Sequence, residues 1–173
     1  MKRDWALDYL VPCMSRLPTT LPWLMAGRAG IRQNQGEHLV QWLADRFPSI
    51  FPQATRVEHE AWARAHYLML AQEKIDAMAF DRMGRFGGPS IDLQGVDCVR
   101  VLVEKGRGFV LVLNHFDRLL TAPVALARHG IVTNVLTMPV LDNPELGYSQ
   151  RHFLLKKIAR YVRETGGKWH TTA

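Results

Sequence analysis

Cysteine is almost missing from this chain of 173 residues: Cys13 and Cys98 stand far apart with no second pair. That excludes a disulfide framework and a cysteine-built zinc site, and makes a reducing compartment, the cytoplasm, the simpler setting. Also missing is any run of the roughly 18–20 apolar residues that a membrane-spanning helix requires. The apolar stretch after Met1, Lys2 and Arg3 is broken by Asp8, Pro12, Arg16 and Pro18, so it makes a poor secretory signal as well. Neither a dinucleotide fingerprint nor a phosphate-binding loop occurs, because Gly106-Arg107-Gly108 precedes its strand candidate instead of following it. Acids are the scarcer charge, 16 against 22 Lys and Arg, and the net charge of +6 favours an anionic partner or surface. The bases are scattered without a recognised motif, so no nucleic-acid partner is expected. What is there, 47% hydrophobic and 22% charged residues without low-complexity blocks, is the composition of one ordinary folded domain and not of a disordered chain.

The first half reads as helical and the second as alternating strand and helix. The predicted class is therefore α/β: an N-terminal helical segment followed by a partial, mostly parallel sheet with helices on both faces. In residues 1–33, the apolar Trp5, Leu7, Tyr9, Leu10, Val11, Leu17, Leu21, Trp23, Leu24 and Met25 are edged by Lys2, Arg3, Arg16, Arg28 and Arg32. The pattern suits a helical segment lying on an anionic bilayer surface, and equally a helical hairpin docked on the rest of the domain. Asn34 or Gly36 starts a helix through Leu39, Val40, Leu43 and Phe47, which Pro48 stops. Thr55, with Glu58 three residues on, is a cap for the longest helix, which runs through Trp62, Ala65, Ile75, Met78 and Ala79 to end near Gly84.

After the Gly87-Gly88-Pro89 turn, residues 91–93 are a short strand candidate and Val96–Glu104 a helix. The uniformly apolar 109–113 is expected to be a central parallel strand covered on both faces. A helix over 118–128, a second such strand over 132–137, and a last helix opened by Asn143-Pro144 and ended by Gly166-Gly167 complete the pattern. The last helix and its tail are rich in bases, with Arg151, Lys156, Lys157, Arg160, Arg163 and Lys168 around one acid, Glu164.

In open α/β sheets ligands bind beyond the carboxyl ends of the strands, which directs attention to Asn114-His115-Phe116-Asp117-Arg118. A histidine leaving a buried strand has a fixed direction and a pKa near working pH, the properties of a general base. Asp117 is the nearby carboxylate that would hold its tautomer, or else the N-cap of the following helix. The competing role for His115 is a hydrogen-bonded structural histidine.

The run from Glu104 to Phe116 resembles the region around the catalytic histidine of the late lipid A acyltransferases, the lauroyl and myristoyl transferase family of Gram-negative inner membranes. Three further pieces fall in that family's order: Phe47-Pro48 with a long helix, Ile91-Asp92-Leu93-Gln94-Gly95, and Pro139-Val140-Leu141-Asp142-Asn143-Pro144 ahead of an Arg-rich helix. The resemblance covers roughly Gly30 to Lys168. It implies transfer of a fatty acyl chain from acyl carrier protein to a lipid hydroxyl at the cytoplasmic face of the inner membrane, where the protein would sit peripherally. Of the family's catalytic residues only His115 carries over, as the base that would remove the hydroxyl proton; Asp117 is this chain's other catalytic candidate, and Asn114, Arg118, Asn143, Arg160 and Arg163 are its substrate-binding candidates. An anionic membrane lipid or lipid A precursor would be the acceptor, and no cofactor or metal is implied.

The sequence departs from that family where it matters. The acid five positions after the histidine is Leu120, Gly-Asn after His-Phe is Asp117-Arg118, and the Arg before the later Pro is Met138. Family members are nearly twice as long, so the resemblance implies one acyltransferase-like domain, 1–173, that is the amino-terminal portion of such an enzyme and carries an incomplete sheet. Without the acid at position 120, little or no acyl transfer is expected. The alternative function is a catalytically inactive acyltransferase-like module that binds lipid or a partner.

Overall fold

A computed structural model describes residues 3–33, 36–113 and 118–172. Its longest element is α4, Arg56–Met78, and the local chemistry that starts it is the one read from the sequence. The Thr55 hydroxyl accepts the Glu58 backbone N–H at 3.3 Å, and the Thr55 backbone N–H donates to Glu58 Oε2 at 2.7 Å, a reciprocal capping box. The backbone N–H of Thr55, then its hydroxyl, hold the Glu58 carboxyl below its ordinary pKa of 4.5. α4 stops at Met78, short of the expected Gly84, and a single 3-10 turn at Phe80–Arg82 follows.

Around α4 the N-terminal half is helical, as expected. A π-turn at Ala6–Leu10 runs into α1, Val11–Met14, followed by α2, Leu21–Gln33, and α3, Gly36–Ala44. Both α2 and α3 pack along α4, and α1 touches it as well. The second half supplies α5, Val96–Glu104; α6, Thr121–Arg128; β1, Val135–Thr137; α7, Tyr148–Thr165; and β2, Trp169–Thr171. The last three form a unit in which β1 and β2 pair in parallel with α7 between them, Val135 opposite Trp169 and Thr137 opposite Thr171. The fold of the described residues is thus mostly helical with a small two-stranded parallel sheet.

One glycine pair allows the return from α7 to β2. Gly166 ends the helix at φ 68° with its N–H on the Val162 carbonyl at 3.0 Å, a left-handed C-cap. At Gly167 a Cβ would stand 1.9 Å from the Thr133 carbonyl oxygen, so the backbones approach closer than any side chain permits.

The main core lies where α4, α6 and α7 meet the N-terminal segment: Val11, Met14, Trp23, Ile75, Met78, Phe80, Met83, Leu120, Val124 and Tyr161. Tyr161 stands edge-on to both Phe80 and Trp169, at 6.2 and 5.6 Å between ring centres, and so joins the end of α4 to β2. Arg128 adds a partly buried polar tie. It donates to the Phe80 and Met83 carbonyls at 2.7 and 3.2 Å and lies 3.6 Å from Glu164. A second, smaller cluster, Val40, Ala44 and Ala63, seals α3 to α4.

The second half departs from expectation in several places. Residues 109–113 form no ladder among the described residues, and Val110 and Val112 are 89% and 79% exposed. A central strand needs a hydrogen-bonded neighbour on each side and a helix on each face. Among the described residues β1 pairs with β2 alone, and α5, the natural cover, buries no residue of its own. The expected strand over 91–93 does not form either, although Ile91 packs on the core. Pairing over 132–137 is confined to the last three residues, α6 starts at Thr121 and not at Arg118, and α7 starts at Tyr148 and not at Asn143.

Candidate functional site

Asn114, His115 and Asp117 lie outside the described residues, and the site is therefore built from what flanks them. Arg118 comes three positions after His115, and its guanidinium pairs with a buried carboxylate. Its NH1 and Nε atoms lie 3.3 Å from Oδ1 and Oδ2 of Asp76, near the end of α4. Asp76 is 2% exposed, and its Oδ1 also accepts the indole N–H of Trp23 at 2.6 Å. A buried carboxylate requires such partners, so the Trp23–Asp76–Arg118 set ties the N-terminal segment, α4 and the chain leaving 114–117 together.

Leu120 bears on the chemistry directly. It is 4% exposed, belongs to the main core, and is the residue that precedes the first turn of α6. The site where the acyltransferase pattern would put an acid is thus filled with packing. The cap position of α6 is Leu120, with no side-chain cap bond.

The remaining predicted contacts are dispersed. Asn143 is exposed and its side-chain carbonyl accepts the Glu145 N–H at 2.9 Å, a local turn. Arg163 is exposed and meets its neighbour Glu164 at 3.3 Å. Arg160 donates to the Met78 carbonyl at 2.6 Å, capping α4, and lines an open cleft of about 490 Å³ with Ser15, Arg16, Thr19, Asp81 and Arg82. Arg118 and Arg160 therefore gather at the end of α4, while Asn143 and Arg163 do not join them. Not all of the basic tail is free, since Lys157 pairs with Glu73 of α4 at 2.9 Å.

Arg82, Asp76 and Trp23 stand outside the site candidates that the sequence offers. Asp76 had a signal, a lone carboxylate within the apolar run Ile75 to Phe80. Nothing local marked Trp23 as its partner, 53 residues away.

The N-terminal segment divides between the two roles open to it. Trp23 and Val11, read as surface anchors, are core residues, and Asp4 and Asp8 dock on Ser149 of α7 at 2.9 and 2.8 Å. On α2, Leu21, Leu24, Met25 and Arg28 are exposed, at positions i, i+3, i+4 and i+7 of one helix face. Trp5 and Tyr9, four apart, are exposed too. Among the described residues no helix is long and apolar enough to cross a membrane, and no group of His, Cys, Asp and Glu could hold a metal ion. In comparisons with known proteins, no family model, no curated protein and no solved structure matches the chain.

Proposed function

We propose that the chain is an acyltransferase-like protein of lipid A or related glycolipid biosynthesis, moving a fatty acyl chain from acyl carrier protein to a lipid hydroxyl with His115 as general base. Its place would be peripheral, on the cytoplasmic face of the bacterial inner membrane. The observation that carries this reading is the anchoring of Arg118. A general base must be held in direction, and a buried carboxylate on the longest helix fixes the chain three residues after His115. The exposed Leu21, Leu24, Met25 and Arg28 face, with Trp5 and Tyr9 beside it in sequence, supports a station on an anionic lipid surface. The β1–α7–β2 unit supports a partial parallel sheet, and helices on both of its faces belong to the same proposal.

Leu120 favours a second reading, a module of this build that binds lipid or a partner without turnover. A buried leucine cannot hold an imidazolium, and loss of such an orienting acid costs a triad enzyme about four orders of magnitude in rate. Transfer of label from acyl carrier protein to lipid, compared between the chain and its His115→Ala variant, separates the two.

A further inference from the structure

We infer that the cleft between the 15–19 loop, the Phe80–Arg82 turn and α7 is a binding site for a phosphate group. Three arginines are among its lining residues, Arg16, Arg82 and Arg160, against a single acidic residue, Asp81. Among the described residues none of these four makes an ion pair.

What holds Arg82 and Arg160 is backbone. Arg82 NH1 donates to the Ser15 and Leu17 carbonyls at 2.9 and 2.8 Å, and its NH2 to the Gly87 carbonyl at 2.8 Å and to that of Thr19. Arg160 NH1 donates to the Met78 carbonyl. Carbonyl oxygens orient a guanidinium without cancelling its charge, so half-buried Arg82 and Arg160 keep fixed positive charge in the wall, and exposed Arg16 adds its own at the rim. Arg160 keeps two nitrogens and Arg16 its whole fork for a ligand, a planar donor set that matches phosphate oxygens. Thr19, whose carbonyl Arg82 grips, has φ 56°, a left-handed conformation that a β-branched residue does not adopt unaided. Arg82 thus shapes the loop that carries Arg16 to the rim. At about 490 Å³ the cleft has room for the phosphate together with the group that bears it.

This site does not depend on acyl transfer and requires no step at His115. The phosphate has two sources, free phosphate or a phospholipid headgroup, and one set of titrations on the full chain distinguishes them. Inorganic phosphate is titrated by calorimetry, and vesicles of phosphatidylcholine with and without phosphatidic acid are titrated alongside. Arg16→Gln touches no internal contact and leaves folding intact, whereas Arg160→Gln also removes a helix cap; Arg160→Lys keeps the charge but not the fork. Each Gln variant is expected to weaken phosphate binding about tenfold, the effect of one lost charge-assisted contact, with Arg160→Lys intermediate. If the headgroup is the source, phosphatidic acid strengthens vesicle binding and inorganic phosphate competes it away. If free phosphate is the source, inorganic phosphate binds but does not displace the chain from phosphatidic acid vesicles, whose charge still attracts the N-terminal segment. Leu24→Ser weakens vesicle binding through the apolar face of α2 and leaves inorganic phosphate unaffected, which separates this site from the membrane-surface reading. The inference is overturned if inorganic phosphate and phosphatidic acid both fail to bind, or if folded Arg16→Gln and Arg160→Lys bind both as the parent chain does.

Discussion

The indole N–H of Trp23 donates to the buried carboxylate of Asp76 at 2.6 Å, across 53 residues of sequence. That bond joins the N-terminal segment to α4, and Asp76 passes the connection on to Arg118 beside the candidate base. Asp76→Ala removes the buried carboxylate that accepts the Trp23 indole N–H and pairs with the Arg118 guanidinium, and the loss of one member of such a pair costs about 3–5 kcal/mol. Trp23→Phe removes only the hydrogen bond and part of the packing, and is expected to cost about 1–3 kcal/mol. Urea denaturation measures both; a smaller loss for Asp76→Ala than for Trp23→Phe would show that Asp76 is not the hub.

Stability should also depend on pH through Glu58. Its carboxyl is held below the ordinary value by the Thr55 N–H and hydroxyl, so the ionised form stabilises the fold. That contribution is complete above the unfolded pKa and is lost as pH falls through the lower folded value. Melting temperatures of the parent chain and Glu58→Gln should therefore differ near neutrality and converge in acid below pH 4.5, the ordinary carboxyl value. A gap that stays constant into that range would contradict the capping role.

The helical half was legible because its signals are local. Thr55 and Glu58 mark the start of α4 by hydrogen-bonding chemistry that depends on no distant partner, and Gly166 marks the end of α7 in the same way. The sheet was not legible. An apolar run such as 109–113 states that a segment would gain by burial, but whether it is buried depends on neighbours remote in sequence, and here α5 and β1 do not supply them. The pairing that does form, Val135 with Trp169, joins a strand to the last residues of the chain, which carry no strand signal stronger than Trp169 and two threonines. At the site, Arg118 and Arg160 were visible as basic residues, but their jobs are set by Asp76 and by the Met78 carbonyl, which only the packing of α4 brings to them.

Leu120→Glu would install the acid that the acyltransferase pattern calls for, but in a position 4% exposed and surrounded by apolar side chains. An unpaired carboxylate there is expected to destabilise the fold by on the order of 3 kcal/mol or more. Thermal unfolding checks this, and a variant as stable as the parent would mean that the side chain reaches a partner or solvent.

Binding to vesicles should divide along the faces of the N-terminal segment. The parent chain is expected to co-sediment better with anionic than with neutral vesicles, and the difference should shrink as salt rises. Leu24→Ser on the exposed face should weaken recovery without loss of stability, since Leu24 is 55% exposed. Equal recovery with both vesicle types would remove the anionic surface from the proposal.

Acyl transfer itself is the most direct measurement. With labelled acyl carrier protein and a lipid A precursor in anionic vesicles, the chain should give turnover several orders of magnitude below that of a transferase with its orienting acid, and His115→Ala should abolish what remains. Label in lipid that does not exceed the His115→Ala background, from a chain that is folded and bound to the vesicles, would contradict the catalytic proposal and leave the binding module.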